Sequence, residues 1–296
     1  MKHPIFTGSG VAIVTPFTQD GVDLPALGKL LDFQLDSGTD AVIICGTTGE
    51  AAAMTYGERM RAIEYCVEHV GGRVPVIAGT GSNNTQTAIT MSRDAQRAGV
   101  DGLLVVTPYY NKATQAGLIQ HYRAIADAVS TPIILYNVPS RTGVSIAPET
   151  CAVLSEHPII TGIKEASGNL SAIQEIRNLC PESFSIWSGN DDEVVPVCAL
   201  GGCGVISVVA NLLPAQMHEL VQRCLDNDFL SAGILQRSLK PLCDAMFCEV
   251  NPIPVKTALE LMGWQVGPLR LPLCAPSRLH LDQIRAALND FHLLPA

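Results

Sequence analysis

No apolar run in this chain approaches the ~20 residues that a membrane-spanning helix requires; the longest are strand-sized. The stretch from Met1 to Gly10 carries Lys2, His3 and Pro4 and no apolar core of the kind a secretory signal needs, so a cytoplasmic protein with no membrane partner is expected. Basic residues are in deficit: 19 Lys and Arg stand against 28 Asp and Glu, for a net charge of −9. That balance argues against a nucleic-acid partner, since no basic stripe is present to displace counterions. Charged residues are sparse altogether, 16% against 47% hydrophobic, which indicates a large core rather than disorder. Ten cysteines are present but no Cys-x-x-Cys pair. Scattered through apolar and helical segments, they read as small core hydrophobes in a reducing compartment, and neither disulfides nor a metal is expected.

What the chain does have is a rhythm. A strand followed by an amphipathic helix repeats every ~20–33 residues. The strand candidates are 10–17, 41–46, 74–79, 102–107, 132–137, 159–167, 184–189 and 204–209. Their near-continuous Val, Ile and Leu content suits parallel strands buried on both faces. Eight such units close most naturally into a (β/α)8 TIM barrel of the α/β class. An open doubly wound sheet is the alternative, but Gly-x-Gly-x-x-Gly is absent after the first strand. Helical patterns then cover 214–225, 228–247, 254–262 and 277–291, separated by Pro- and Gly-bearing turns. The expected organisation is a catalytic barrel over 1–225 and a C-terminal helical appendage over 226–296, with no low-complexity linker between them.

Lys164 is the residue that breaks the pattern. It sits in Ile159-Ile160-Thr161-Gly162-Ile163-Lys164-Glu165, where an ammonium has to be paired or lose its proton. A structural pair with Glu165 is the plain reading. A desolvated amine that attacks a carbonyl is the other. The ends of neighbouring strands carry further unusual residues, and in a barrel those ends form the active site. Gly46-Thr47-Thr48-Gly49-Glu50 offers two hydroxyls and close backbone approach, fit to hold a carboxylate; the same segment reads equally as a turn with Thr48 capping a helix. Thr107-Pro108-Tyr109-Tyr110-Asn111 presents paired tyrosines, which more commonly pack than catalyse. Tyr136 ends the strand beside the lysine strand, within reach of the amine. Arg141 in the following loop has the fork that suits a carboxylate. Together these imply a Schiff base between Lys164 and a 2-oxo acid. Tyr136 shuttles protons, Thr48 holds the oxo acid's carboxylate, and Arg141 holds an aldehyde that the enamine attacks. No cofactor is needed.

The motifs Gly46–Glu50, Val106–Asn111, Leu135–Gly143 and Gly162–Ala166 resemble those of the pyruvate-dependent class I aldolases, the N-acetylneuraminate lyase-like family. The likeness runs from Thr7-Gly8 through Asn251-Pro252-Ile253-Pro254-Val255-Lys256. It implies condensation of pyruvate with L-aspartate 4-semialdehyde, toward lysine and diaminopimelate, by a homotetramer built as a dimer of dimers. It also implies roles. Lys164 is the Schiff-base lysine, Tyr136 the proton donor and acceptor, and Thr47 a relay hydroxyl between two tyrosines. Tyr110 is a relay tyrosine inserted from a neighbouring subunit. Thr48 and the backbone of Ile206 bind pyruvate, and Gly189 lines the pocket. Lys256 reads as structural. Ser140-Arg141-Thr142-Gly143 separates the chain from N-acetylneuraminate lyases, whose loop lacks it; keto-sugar-acid aldolases and a catalytically inactive barrel used for binding remain as alternatives. Feedback-inhibited relatives hold L-lysine near 49–50 and 81–83 with a histidine and a carboxylate. Here those positions are Arg59 and Thr87, although Asn83 and Tyr109 match, so weak or absent lysine inhibition is expected.

Overall fold

The structure, a computed structural model, describes residues 3–295. Eight strands form a closed barrel: β1 (Gly8–Ala12), β2 (Ala41–Ile44), β3 (Val76–Gly79), β4 (Gly102–Val106), β5 (Ile133–Asn137), β6 (Ile160–Glu165), β7 (Ser185–Ser188) and β8 (Gly204–Ser207). Each pairs in parallel with its sequence neighbour, and β8 closes on β1. The expected (β/α)8 barrel is the fold observed. Almost every strand residue is buried, as strands covered on both faces require.

Seven of the eight strands lie within about two residues of their expected positions, and the first does not. It begins at Gly8 and ends at Ala12, whereas Phe17–Thr18 pairs antiparallel with Gly21–Val22 in a separate ribbon. Gly8-Ser9-Gly10 gives no hydrophobic signal because nothing larger fits. A Cβ on Gly8 would lie 2.1 Å from the Asp40 carboxylate, and one on Gly10 would lie 2.7 Å from Ile43 and 2.8 Å from Phe6. Closure imposes the same demand across the seam, where a Cβ on Gly204 would sit 2.0 Å from the Gly8 carbonyl oxygen.

Two apolar layers result. The inner one fills the barrel with Phe6, Ile43, Ile77, Leu104, Trp187 and Ile206, and Phe6 stacks on Trp187 at 5.2 Å. The outer one lies between strands and helices, and it runs on into the C-terminal helices α9 (Phe229–Met246), α10 (Ile253–Leu261) and α11 (Arg278–Asp290) through Leu242, Leu259 and Leu288. The first and last of these helices start at their N-caps: the Asp228 side chain accepts from Ser231 N and the Ser277 side chain from His280 N. None of the described helices is long and apolar enough to cross a membrane.

The region beyond residue 225 is also tied to the strand ends by charge. Lys256 is 2% exposed and donates to Glu50 Oε1 at 2.7 Å and to the Pro268 carbonyl at 2.9 Å. The other Glu50 oxygen accepts from Arg270 N at 2.9 Å, while the Arg270 guanidinium grips Glu58 at 2.6 and 2.9 Å. That grip holds the Glu58 carboxyl down to about 2. Phe17 lies between the two cations, 4.4 Å from Lys256 Nζ and 3.9 Å from the Arg270 guanidinium carbon. The structural role expected of Lys256 is the one it has here.

Removing one member of such a pair leaves the other charge buried, so Lys256→Met is expected to cost about 3–5 kcal/mol of stability, with Glu50→Gln in the same chain recovering part of the loss. Denaturant unfolding measures both; a loss under about 1 kcal/mol would show the pair to be solvated.

Candidate active site

β5 and β6 lie in register, Tyr136 beside Lys164 and Asn137 beside Glu165. Alternation along each strand sends the first pair into the barrel and the second out toward the helices. Glu165 therefore does not pair with the lysine. Its carboxylate accepts from Asn137 Nδ2 at 2.9 and 3.2 Å and from Ser167 N at 2.8 Å, and burial pushes its pKa above the ordinary carboxylate range. Among the described residues no carboxylate oxygen lies within 4.0 Å of Lys164 Nζ, although the residue is only 6% exposed. The plain structural reading of Lys164 is overturned. The amine sits 4.5 Å from the centroid of the Tyr136 ring. Gly189 packs on the stem of the lysine: a Cβ there would come within 3.0 Å of Lys164 Cε and 2.6 Å of Ala166 Cβ. Its missing side chain leaves the lysine its room.

The segment after β2 is a turn in which Cys45 and Glu50 both take left-handed backbone, φ 56° and 53°. Thr47 is half-buried beside the cleft, and Thr48 is 2% exposed. Thr48 is not a helix cap. The helix that follows, α2 (Tyr56–Val70), is capped by Thr55, whose side chain accepts from Glu58 N while Glu58 reaches back in a capping box. The Thr48 hydroxyl instead accepts from Asn251 Nδ2 at 3.0 Å.

Arg141 lies on a single helical turn, Pro139–Thr142, and donates from Nη2 to the Asn251 carbonyl at 3.2 Å. Tyr109 is 40% exposed and Tyr110 89%, the latter held at φ 73°. Ile206 buries its side chain in the inner layer. The turn after it is fixed by Asp191, whose Oδ2 accepts from Val208 N and Val209 N at 3.0 and 3.1 Å. Burial raises the Asp191 carboxyl, and the charge of Lys164 opposes that rise.

A cleft of about 380 Å³ opens at these strand ends, with Thr47, Arg59, Tyr109, Tyr136, Arg141 and Asn251 among its walls. Lys164, Thr48, Gly189 and Ile206 lie outside its lining, and so does the exposed Tyr110. Sequence reasoning missed Asn251 and Asp191. Along the sequence Asn251 stands between helical segments, far from any strand, and its local signal is a polar residue before Pro252-Ile253-Pro254. Asp191 follows Gly189-Asn190, which reads as an ordinary turn.

Comparison with known proteins gives the family and the fold. The model of the dihydrodipicolinate synthetase family matches residues 5–291. A 4-hydroxy-tetrahydrodipicolinate synthase of Thermoanaerobacter sp. (strain X514) is 54% identical over 292 residues, 98% of each chain. A solved structure described as a monomeric dihydrodipicolinate synthase variant superposes with TM-score 0.96 at 41% identity, covering 98% of both chains. The chloride-inhibited dihydrodipicolinate synthase of Acinetobacter baumannii, solved in complex with pyruvate, gives TM-score 0.95 at 41% identity over 97% of this chain and 99% of that one.

Gly189→Ala puts a methyl group against the lysine stem and is expected to slow borohydride-trappable pyruvate adduct formation by about 10- to 100-fold, with the fold retained. Trapping at the unaltered rate in a folded variant would mean that the lysine does not need this space.

Proposed function

The chain belongs to the dihydrodipicolinate synthetase family, and on that footing we propose that it condenses pyruvate with L-aspartate 4-semialdehyde to 4-hydroxy-tetrahydrodipicolinate. The observation that carries the reading is a buried lysine with no carboxylate partner, in register with Tyr136. The Lys164 amine adds to the keto carbon of pyruvate, and the carbinolamine loses water to give an imine. Tyr136 supplies and removes the protons of these steps, and the methyl carbon then gives up a proton to form the enamine. The enamine carbon bonds to the aldehyde carbon, whose oxygen becomes the product hydroxyl. The amino group of the second substrate finally attacks the imine carbon, closes the six-membered ring and releases Lys164.

The other residues hold and connect. Thr48 and the Ile206 backbone bind the pyruvate carboxylate, with Gly189 keeping space for the lysine. Arg141 holds the carboxylate of the aldehyde from the opposite wall. Thr47 passes protons between Tyr136 and Tyr110 of a second copy. Free cysteines such as Cys66, Cys151 and Cys243 suit the reducing cytoplasm. Coupled turnover tests the whole reading: the semialdehyde should outpace keto-sugar-acid and N-acetylmannosamine substrates, and a preference for either of those would reassign the second substrate.

A homotetramer, a dimer of dimers, is the assembly we propose, because a tyrosine 89% exposed at positive φ fits insertion into a neighbour. Mixing inactive Tyr110→Phe with inactive Lys164→Ala is then expected to restore partial activity in hybrid dimers. Hybrids seen by native mass spectrometry yet inactive would put Tyr110 outside the relay.

Feedback by L-lysine is expected to be weak or absent. Arg59 lies in the cleft wall and donates to the Gly79 carbonyl at 2.9 Å, adding positive charge where an ammonium would bind. Thr87 offers no carboxylate, and Glu50 and Glu58 are already engaged by Lys256 and Arg270. An ammonium without its anionic partner loses about a thousandfold in affinity. Half-maximal inhibition at sub-millimolar lysine in a turnover assay would contradict this.

A further inference from the structure

Thr48 cannot orient itself. A hydroxyl rotates to suit its partners, with one proton to give and two lone pairs to offer. In a site that must hold a carboxylate, that proton has to point at the substrate, and something must stop it from pointing elsewhere. Asn251 is placed to do so. Its Nδ2 donates to Thr48 Oγ1 at 3.0 Å across 203 residues of sequence, which occupies a lone pair and leaves the Thr48 proton for another acceptor. Asn251 is itself 5% exposed, and its Oδ1 has no hydrogen-bond partner, so Thr48 does not spend its proton there.

The asparagine is held by two contacts, and its segment by a third. Its carbonyl accepts from Arg141 at 3.2 Å. Its side chain is on Thr48. Lys256, on the same segment, forms the buried pair with Glu50, two residues past Thr48. The threonine turn and the asparagine segment are thus pinned to one another at both ends.

From this arrangement we propose that Asn251 is a positioning residue for pyruvate: it aims the Thr48 hydroxyl at the substrate carboxylate. The proposal rests on the reading that pyruvate binds at Lys164. It also assigns the C-terminal region a part in substrate binding, in addition to its part in stability.

The test is a double-mutant cycle on the pyruvate concentration that half-saturates borohydride trapping, using Asn251→Leu, Thr48→Val and the two combined. Each single change is expected to raise half-saturation about tenfold with adduct yield at saturation retained, about the effect of one lost hydrogen bond. The combined variant is expected to be no worse than Thr48→Val within about twofold, because Asn251 acts only through that hydroxyl. Asn251→Asp gives a second route should the leucine variant fail to fold. Aspartate only accepts, so it would take the Thr48 proton and should also raise half-saturation. Unchanged half-saturation in a folded Asn251 variant, or effects that multiply in the combined variant, would overturn the assignment. Wild-type protein that traps no pyruvate would overturn the function reading and this proposal with it.

Discussion

An amine buried without a counter-ion is the constraint around which this molecule is arranged. Lys164 reaches the inner layer of a parallel barrel, where it is 6% exposed and no carboxylate oxygen lies within 4.0 Å among the described residues. Alternation along β6 separates the lysine from its sequence neighbour Glu165, which is absorbed by Asn137 and Ser167 on the other face. Gly189 gives the stem its room, and Asp191 fastens the turn after Ile206. None of these pairs with the amine, an arrangement that fits the role of nucleophile proposed for Lys164.

Segments between the C-terminal helices reach the same strand ends. Glu50, two residues beyond the threonine pair, is held by Lys256 and Arg270, and Asn251 links Thr48 to Arg141. The Thr48 turn and the Arg141 turn are therefore joined through one segment. The ion pair that anchors the C-terminal region also fixes the turn that carries Thr47 and Thr48, so the proposed binding role and stability would share these contacts.

Much of this was legible before any coordinates. The eight apolar runs and their spacing led to the barrel because parallel strands buried on both faces leave a strong hydrophobic signature. Lys164 stood out for the same reason: a charge in such a run is conspicuous. Other features left no local trace. The first strand was misplaced because Gly8-Ser9-Gly10 is shaped by Asp40, Phe6 and Ile43, which are distant in sequence. Thr48 looked like a cap, and the capping box at Thr55 and Glu58 shows which residue does that work. The contact between Thr48 and Asn251 spans 203 residues, and no periodicity or spacing reports a pairing of that kind.

The account turns on which amine carries the substrate. Incubation with pyruvate and borohydride, followed by peptide mapping, locates it directly. The expected result is one label per chain, confined to the peptide containing Lys164 and absent from a folded Lys164→Ala variant. A label on Lys256, or one that persists at normal yield in Lys164→Ala, would contradict the account and move the nucleophile elsewhere.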